Sequence, residues 1–484
     1  MNEAIKDLDP KPVWKNFANL NAVPRPSKKE ERVIAFMVEF GNSLGLETFT
    51  DDIGNVVIRK PASVGMEAKK MVTLQSHLDM VHQKNNDTAF DFETQGIQMY
   101  VDGDWVKAKG TTLGADNGMG VAAIMALLES KDIVHPPLEA LFTIDEETGM
   151  TGAFGLKGGI LQGNILLNLD TEEDDEIGIG CAGGIDVNVL GRYQKEPCPI
   201  DSIAYKIEVK GLKGGHSGMD IHKGLGNANK IMNRVIHQLN IDNGALIAMI
   251  DGGSLRNAIP RESTAVVVVD KGNDRTVTEN FQKIAKIIKA ELSLTEPTLE
   301  ITMARTETPG FVIGEKESHN LIRSLYGAHN GVYAMSASIP NLVETSNNIA
   351  RVKVDNGTIA IGCLTRSSVE TAKMDLAFAL KAVFELANYQ VSFDGAYPGW
   401  NPNPNSEIVS ITKNCYTKLF KQEPIVAACH AGLECGILGQ NYPDMDMVSF
   451  GPTIRGAHSP DERVSISSVQ KFWDFLIRIL KETP

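Results

Sequence analysis

The chain has 484 residues, 42% of them hydrophobic and 22% charged, and a formal net charge of −14. That length calls for two domains or more. The acidic balance argues against a nucleic-acid partner, which needs a basic face, and against docking on anionic membranes; solubility accounts for it. No stretch approaches the roughly 20 apolar residues of a membrane span. The first 17 residues hold no apolar core of the kind a secretory signal needs. The six cysteines are scattered and form no CxxC pair, as expected of reduced thiols in a cytoplasmic protein, and they are poor candidates for zinc ligands.

In chain order, Ser27 is placed to cap a helix over 30–44, with Val33, Ile34, Phe36, Met37 and Phe40 on its core stripe. Residues 55–58 read as a strand. The apolar run 71–75 reads as another, and it stops at Ser76-His77. A buried helix is expected over 118–129, before the break at Pro136-Pro137. The strand at 138–144 runs into Asp145-Glu146-Glu147, and the strand at 165–169 stops at Asp170. In open α/β sheets, ligands bind beyond the carboxyl ends of the strands, so these three strands can bring polar groups to one rim.

After about residue 187 the texture changes. Strands are expected at 204–209, 265–270, 299–303 and 359–364, with helices near 226–239, 277–291 and 368–387. Residues 388–405, with Pro398, Pro402 and Pro404, read as a linker, and α/β texture then returns up to a last helix at 467–481. The expected architecture is an α/β domain, 1–186 plus 400–484, interrupted by an inserted α+β domain over 187–399.

Five short segments carry chemistry. His77-Leu78-Asp79 follows a strand, so an imidazole can meet a metal while Asp79 orients its other nitrogen. In Gly114-Ala115-Asp116-Asn117-Gly118-Met119-Gly120, Asp116 either caps a helix or bridges two ions. Asp145-Glu146-Glu147 crowds three carboxylates straight after a buried strand, which is costly without a cation. One of them can bind metal while its neighbour takes a proton from water; the plain alternative is a solvated turn. Asn168-Leu169-Asp170 repeats the strand-end pattern, and the acidic run at 172–176 reads as a solvated loop. His458 sits in a Gly/Pro-rich loop, Gly456-Ala457-His458-Ser459-Pro460-Asp461-Glu462, where a lone histidine is ordinarily just surface. Together His77, Asp116, Glu147, Asp170 and His458 supply two nitrogen and three carboxylate ligands, a mixture that suits zinc, with Mn²⁺ or Co²⁺ as substitutes. Two histidines count against a Ca²⁺ or Mg²⁺ site.

These motifs, in this order, resemble those of the dizinc exopeptidases, the family of carnosinases, peptidase T, peptidase V, glutamate carboxypeptidases and aminoacylases. With the opening Val23-Pro24-Arg25-Pro26-Ser27, they are most similar to members that cleave Xaa-His dipeptides. The resemblance implies the phosphorylase/hydrolase-like catalytic fold of that family with an inserted lid. It implies two Zn²⁺, one on His77 and Asp170, the other on Glu147 and His458, with Asp116 bridging. Glu146 becomes the general base, Asp79 the residue that orients His77, and the Asp116–Asn117 peptide is expected to be cis.

In the insert, His216 of Lys213-Gly214-Gly215-His216-Ser217-Gly218 matches a histidine that reaches the substrate carbonyl, and Asn257 a substrate-contacting asparagine. Arg366 is the candidate for gripping the peptide carboxylate, and His430 either holds that carboxylate or supports its loop. Read without the resemblance, these four are two turn residues, a surface charge and a loop residue. The insert is about twice the length usual for a single lid, so a doubled lid is expected, with His216 serving its own chain. By analogy, a homodimer forms through the lid. The implied function is hydrolysis of carnosine-like Xaa-His dipeptides by zinc-activated water; the alternatives are an aminoacylase-like deacylase, a broader di/tripeptidase, or a non-catalytic binding protein, against which the intact ligand set and Glu146 count.

Overall fold

The computed structural model describes residues 2–484. Two compact units emerge. One comprises Met1–Cys181, Trp400–Ala428 and Leu433–Pro484; the other comprises Ala182–Gly399 and Cys429–Gly432. His430 therefore belongs to the second unit, although it follows the long insert in sequence.

The first unit is built on an eight-stranded mixed sheet. Its centre is four parallel strands in the spatial order Leu138–Thr143, Val72–His77, Ile165–Asn168 and Asp446–Ser449. The first three are buried along their whole length, as parallel strands covered on both faces must be; Ile165–Asn168 is apolar up to its last residue, while Val72–His77 and Leu138–Thr143 also bury hydrogen-bonded polar residues such as Gln75 and Glu139. Because they are parallel and in close register, with His77 opposite Thr143 and Gln75 opposite Asn168, their carboxyl ends form one rim. Val56–Lys60 and Glu47–Thr50 continue the sheet antiparallel on one side. Helix Ala115–Glu129 packs on Val72–His77 and is buried on nearly every residue. Its small and aliphatic residues on all sides explain why it shows no polar face.

Two local readings need correction. Ser27 does not cap a helix. Helix Glu31–Ser43 starts after Glu30, and the Ser27 hydroxyl instead donates to Asp79 Oδ2 at 2.7 Å. Residues 388–405 are not a plain linker, because Gln390–Tyr397 forms the edge strand beside Gly183–Arg192.

The second unit is α+β. In chain order Ser202–Lys210, helix Ala228–Asn243, Leu246–Gly252, Ser263–Asp270, helix Asp274–Glu291 and Glu300–Thr306 make one βαββαβ motif, its strands lying in the spatial order 4-1-3-2. Gly183–Arg192, helix Glu315–Gly327, Val343–Asp355, Thr358–Ser367, helix Glu370–Leu386 and Gln390–Tyr397 make a second, with the same strand order. The two copies join edge to edge through antiparallel pairing of Leu246–Gly252 with Val343–Asp355, giving one continuous sheet. The whole first copy is inserted between the first strand and first helix of the second. The helices are amphipathic: Asp274–Glu291 buries Val277, Phe281, Ala285 and Ile288, at the spacing of one helical face.

The central sheet sets the stability of the first unit. Replacing Leu74, which is fully buried, by Ala should cost about 2–5 kcal/mol in urea unfolding. The same change at Tyr100, 40% exposed, should stay within about 0.5 kcal/mol.

Candidate metal centre

His77 ends its strand, and its ring is 1% exposed. Nδ1 faces Asp79, 3.2 Å from the carbonyl oxygen and 3.3 Å from Oδ1. Nε2 lies 3.2 Å from Asp116 Oδ1 and 3.6 Å from Asp170 Oδ1. The other oxygen of Asp116 lies 3.2 Å from His458 Nε2, which is 3.0 Å from Glu147 Oε2. Thus His77, Asp116 and Asp170 form one group that could hold an ion, and Asp116, Glu147 and His458 a second, with Asp116 common to both. His77, Glu146 and Glu147 also come within reach of one another. All five residues singled out as ligands, and the general-base candidate Glu146, therefore meet at one rim of the first unit.

The local backbone explains the convergence. Asp116 and Asn117 sit at the start of a helix yet have non-helical geometry, and the peptide between them is cis. Asp116 is thereby displayed while Asn117 Nδ2 donates to Leu169 O and to Asp170. The strand Leu138–Thr143 turns through Asp145 into a one-turn helix, Glu146–Gly149. Asp79 accepts the backbone N–H groups of Glu146 at 3.0 Å and Glu147 at 3.3 Å, so one carboxylate fixes both the imidazole and the acidic turn. Asp145, Met150 and His458 all have positive φ, at 53°, 51° and 64°. Such conformations cost of order 1–3 kcal/mol each and collect at functional sites.

The electrostatics show what is needed here. Burial, then neighbouring carboxylates, push Glu146 and Asp170 well above the usual carboxylate range, although His77 opposes the shift. Against its own burial, hydrogen bonds with His458 and His77 hold Asp116 well below that range. Hydrogen bonds to Asp116 and Glu147 hold the His458 imidazole up to about 11. His77 is raised well above its normal value despite burial, chiefly by Asp170 and Asp116. The last three shifts share one cause: carboxylates crowd around two imidazoles, and a divalent cation would balance that crowd. Glu147 Oε1 is buried without a hydrogen-bond partner. The donor set, two imidazoles and three carboxylates with a bare buried oxygen, fits one or two zinc-like ions.

Three residues of this unit were not singled out from sequence. Glu434 is buried and accepts from Gln75 at 2.6 Å and Thr143 at 2.7 Å, while its Oε1 has no partner. Burial and nearby carboxylates push it up to about 7. Glu462 and Arg25 are buried against the backbone that carries the ligands. Arg25 and Glu462 lie inside motifs read from the sequence, Val23–Ser27 and Gly456–Glu462, and a charged residue within such a motif was the available signal.

The remaining selected residues lie in the second unit. His216 Nδ1 accepts the N–H groups of Gly218 at 3.2 Å and Met219 at 3.0 Å, so the ring is neutral and its Nε2–H is the donor. A side chain at Gly218 would meet the His430 carbonyl oxygen at 1.9 Å and His216 Cε1 at 3.1 Å. His430 bonds Ser346 Oγ through Nε2 at 2.7 Å, and its Nδ1 is buried without a partner. Arg366, 4% exposed, donates from Nη1 to the Tyr397 hydroxyl at 2.6 Å, and its Nε has no partner. Asn257 is exposed, and its carbonyl oxygen accepts from Ser217 N at 2.7 Å. His216 thus offers a donor nitrogen, and among the described residues Arg366 has no carboxylate partner.

Residues 73–482 match the model of peptidase family M20/M25/M40, and the chain belongs to that family of metal-dependent peptidases, hydrolases acting on peptide bonds. The chain is 44% identical over 484 residues to the cytosol non-specific dipeptidase of Escherichia coli (strain K12), covering 99% of each. It matches the crystal structure of aminoacylhistidine dipeptidase from Vibrio alginolyticus with a TM-score of 0.94 at 44% identity, covering 99% of this chain and 98% of that one. The fold alone extends to aminopeptidase PepT from Bacillus cereus ATCC 10987, with a TM-score of 0.58 at 16% identity over 98% and 99% of the two chains.

His430 supplies a pH test. Burial, then the charge of Arg366, push its imidazole down to about 3, from a normal value of 6.5. Below that normal value the unfolded chain takes the proton and the folded one does not, so stability is lost as pH falls from 6.5 towards 3. His430→Gln should flatten the stability slope in that window by up to about one proton, read from urea unfolding at several pH values. An unchanged slope would mean that the folded protein already carries a protonated His430.

Proposed function

We propose that this protein is a cytoplasmic dizinc dipeptidase that cleaves a range of dipeptides, Xaa-His among them. The observation that carries the reading is the pair of ligand groups sharing Asp116, with Glu146 beside them. His77 and Asp170 would hold one ion, Glu147 and His458 the other, and Asp116 both. The range of substrates follows the E. coli relative, named as non-specific and cytosolic, and the V. alginolyticus relative, named for aminoacylhistidine. We read the second unit as a lid, doubled because it contains two βαββαβ copies.

When bound, the ions supply Lewis acidity that makes water a nucleophile near neutral pH and polarises the scissile carbonyl. The chain's own residues do the rest. Glu146, half-buried and held above the usual carboxylate range by desolvation and its neighbours, takes the proton from the attacking water and passes it to the leaving amine. Asp79 keeps the His77 ring and the Glu146–Glu147 turn in register. His216, with its Nε2–H free, donates to the carbonyl oxygen as negative charge develops there; such a donor is typically worth about 3–4 kcal/mol. Arg366 and His430 take the peptide carboxylate, and Asn257 contributes a further substrate contact.

Metal analysis with a panel of Xaa-His, other dipeptide and N-acyl amino acid substrates, before and after chelation, tests the reading. We expect two zinc ions per chain, dipeptide hydrolysis lost on chelation and restored by zinc, and little activity on N-acyl amino acids. Preference for the N-acyl substrates would make the protein a deacylase instead. Glu146→Gln should keep both ions and lose turnover by roughly 10²–10⁴-fold. Near-normal turnover would remove Glu146 from the base role.

A further inference from the structure

Two residues of the first unit, Arg25 and Glu462, lie inside sequence motifs and play no part in the chemistry above. Glu462 is 2% exposed, and its two oxygens accept four consecutive backbone N–H groups. Oε2 takes Leu113 at 2.7 Å and Gly114 at 2.9 Å; Oε1 takes Ala115 at 2.7 Å and Asp116 at 3.3 Å. Ala115 and Asp116 are among the donors that a helix start leaves unpaired, here at the start of Ala115–Glu129, and Leu113 and Gly114 lead into it. The carboxylate that satisfies them comes from more than 300 residues away, four positions after His458.

Arg25, 1% exposed, grips the same segment from its carbonyl side. Nη2 donates to Gly114 O at 2.6 Å and Asn21 Oδ1 at 3.0 Å. Nη1 donates to Leu78 O at 3.0 Å and to Asp79 O at 3.1 Å, and that second oxygen also faces His77 Nδ1. A Cβ at Gly114 or Gly118 would lie 2.6 Å from Nη2, so both glycines open the slot the guanidinium occupies. Arg25 makes no ion pair among the described residues, yet the charges that act on it are those of Glu462, Asp79, Asp116 and Glu147. It is a counter-charge to the centre as a whole, delivered through the backbone.

We infer that Arg25 and Glu462 form a clamp that sets Asp116 between His77 and His458 before any divalent cation arrives, and that both are positioning residues for cation binding. The inference rests on the dinuclear reading above. The clamp ties together the three segments that carry these ligands: the turn after His77, the start of the Asp116 helix and the loop of His458. Without it, the cation must itself order segments that are otherwise already in place, so affinity falls. A buried carboxylate elsewhere in the unit supplies the control. Glu139 is also fully buried and accepts from Thr73 Oγ1, Arg59 Nε, Gln162 N and Gly163 N, but it lies near the start of its strand, away from the ligand rim.

The test uses full-length protein stripped by chelator: wild type, Glu462→Gln, Arg25→Lys and Glu139→Gln. Each is titrated with Zn²⁺ against a chromophoric chelator, its thermal unfolding is recorded without metal, and its visible absorption is taken with Co²⁺. The clamp predicts that Glu462→Gln and Arg25→Lys each weaken at least one zinc equivalent by at least about tenfold and alter the cobalt spectrum. Glu139→Gln should lower the unfolding temperature and bind zinc as wild type does. The inference is overturned if Glu462→Gln binds zinc like wild type, or if Glu139→Gln loses as much affinity as Glu462→Gln. Should Glu462→Gln fail to fold, Arg25→Lys, which keeps the charge and loses the fork, decides alone. Wild type taking up no zinc would sink the dinuclear reading itself and leave the clamp as a purely structural feature.

Discussion

The site of the first unit is organised by the repulsion among Asp116, Glu146, Glu147 and Asp170, half-buried together beside the buried His77 and the exposed His458. Carboxylates at this spacing cannot all remain ionised away from water unless positive charge sits among them. The parallel strands deliver the carboxylates to one rim because their carboxyl ends point the same way. Asp79 then fixes the Glu146–Glu147 turn by accepting both of its backbone N–H groups. The arrangement is expensive as a bare protein and natural as a receptor for divalent cations.

The second unit holds the complementary chemistry. A neutral His216 with its Nε2–H as donor and a buried Arg366 whose Nε has no partner are groups that await acceptors. One unit thus collects negative charge for cations, and the other collects donors for an anionic or carbonyl-bearing ligand.

Much of this was legible in the sequence because it follows from local rules. Apolar runs ending abruptly at His77, Glu146-Glu147 and Asp170 betray parallel strands that feed a crevice, and the strand bounds fell within a residue or two. What was hidden depended on distant partners. Ser27 looks like a helix cap, but its hydroxyl is captured by Asp79, 52 positions on. Gln390–Tyr397 looks like linker because an edge strand followed by Pro398 needs little apolar alternation. Arg25 and Glu462 act on backbone atoms, which leave no trace in residue type. The doubling of the second unit shows no tandem period because one βαββαβ copy interrupts the other, so corresponding strands are unevenly spaced along the chain.

The central claim is that two cations share Asp116. Crystals of the zinc-loaded protein, with diffraction recorded on both sides of the zinc absorption edge, address it most directly. The account predicts two anomalous peaks about 3.5–4 Å apart, one beside His77 and Asp170, the other beside His458 and Glu147, with Asp116 touching both. A single peak, or peaks that leave Asp116 without a metal contact, would contradict it.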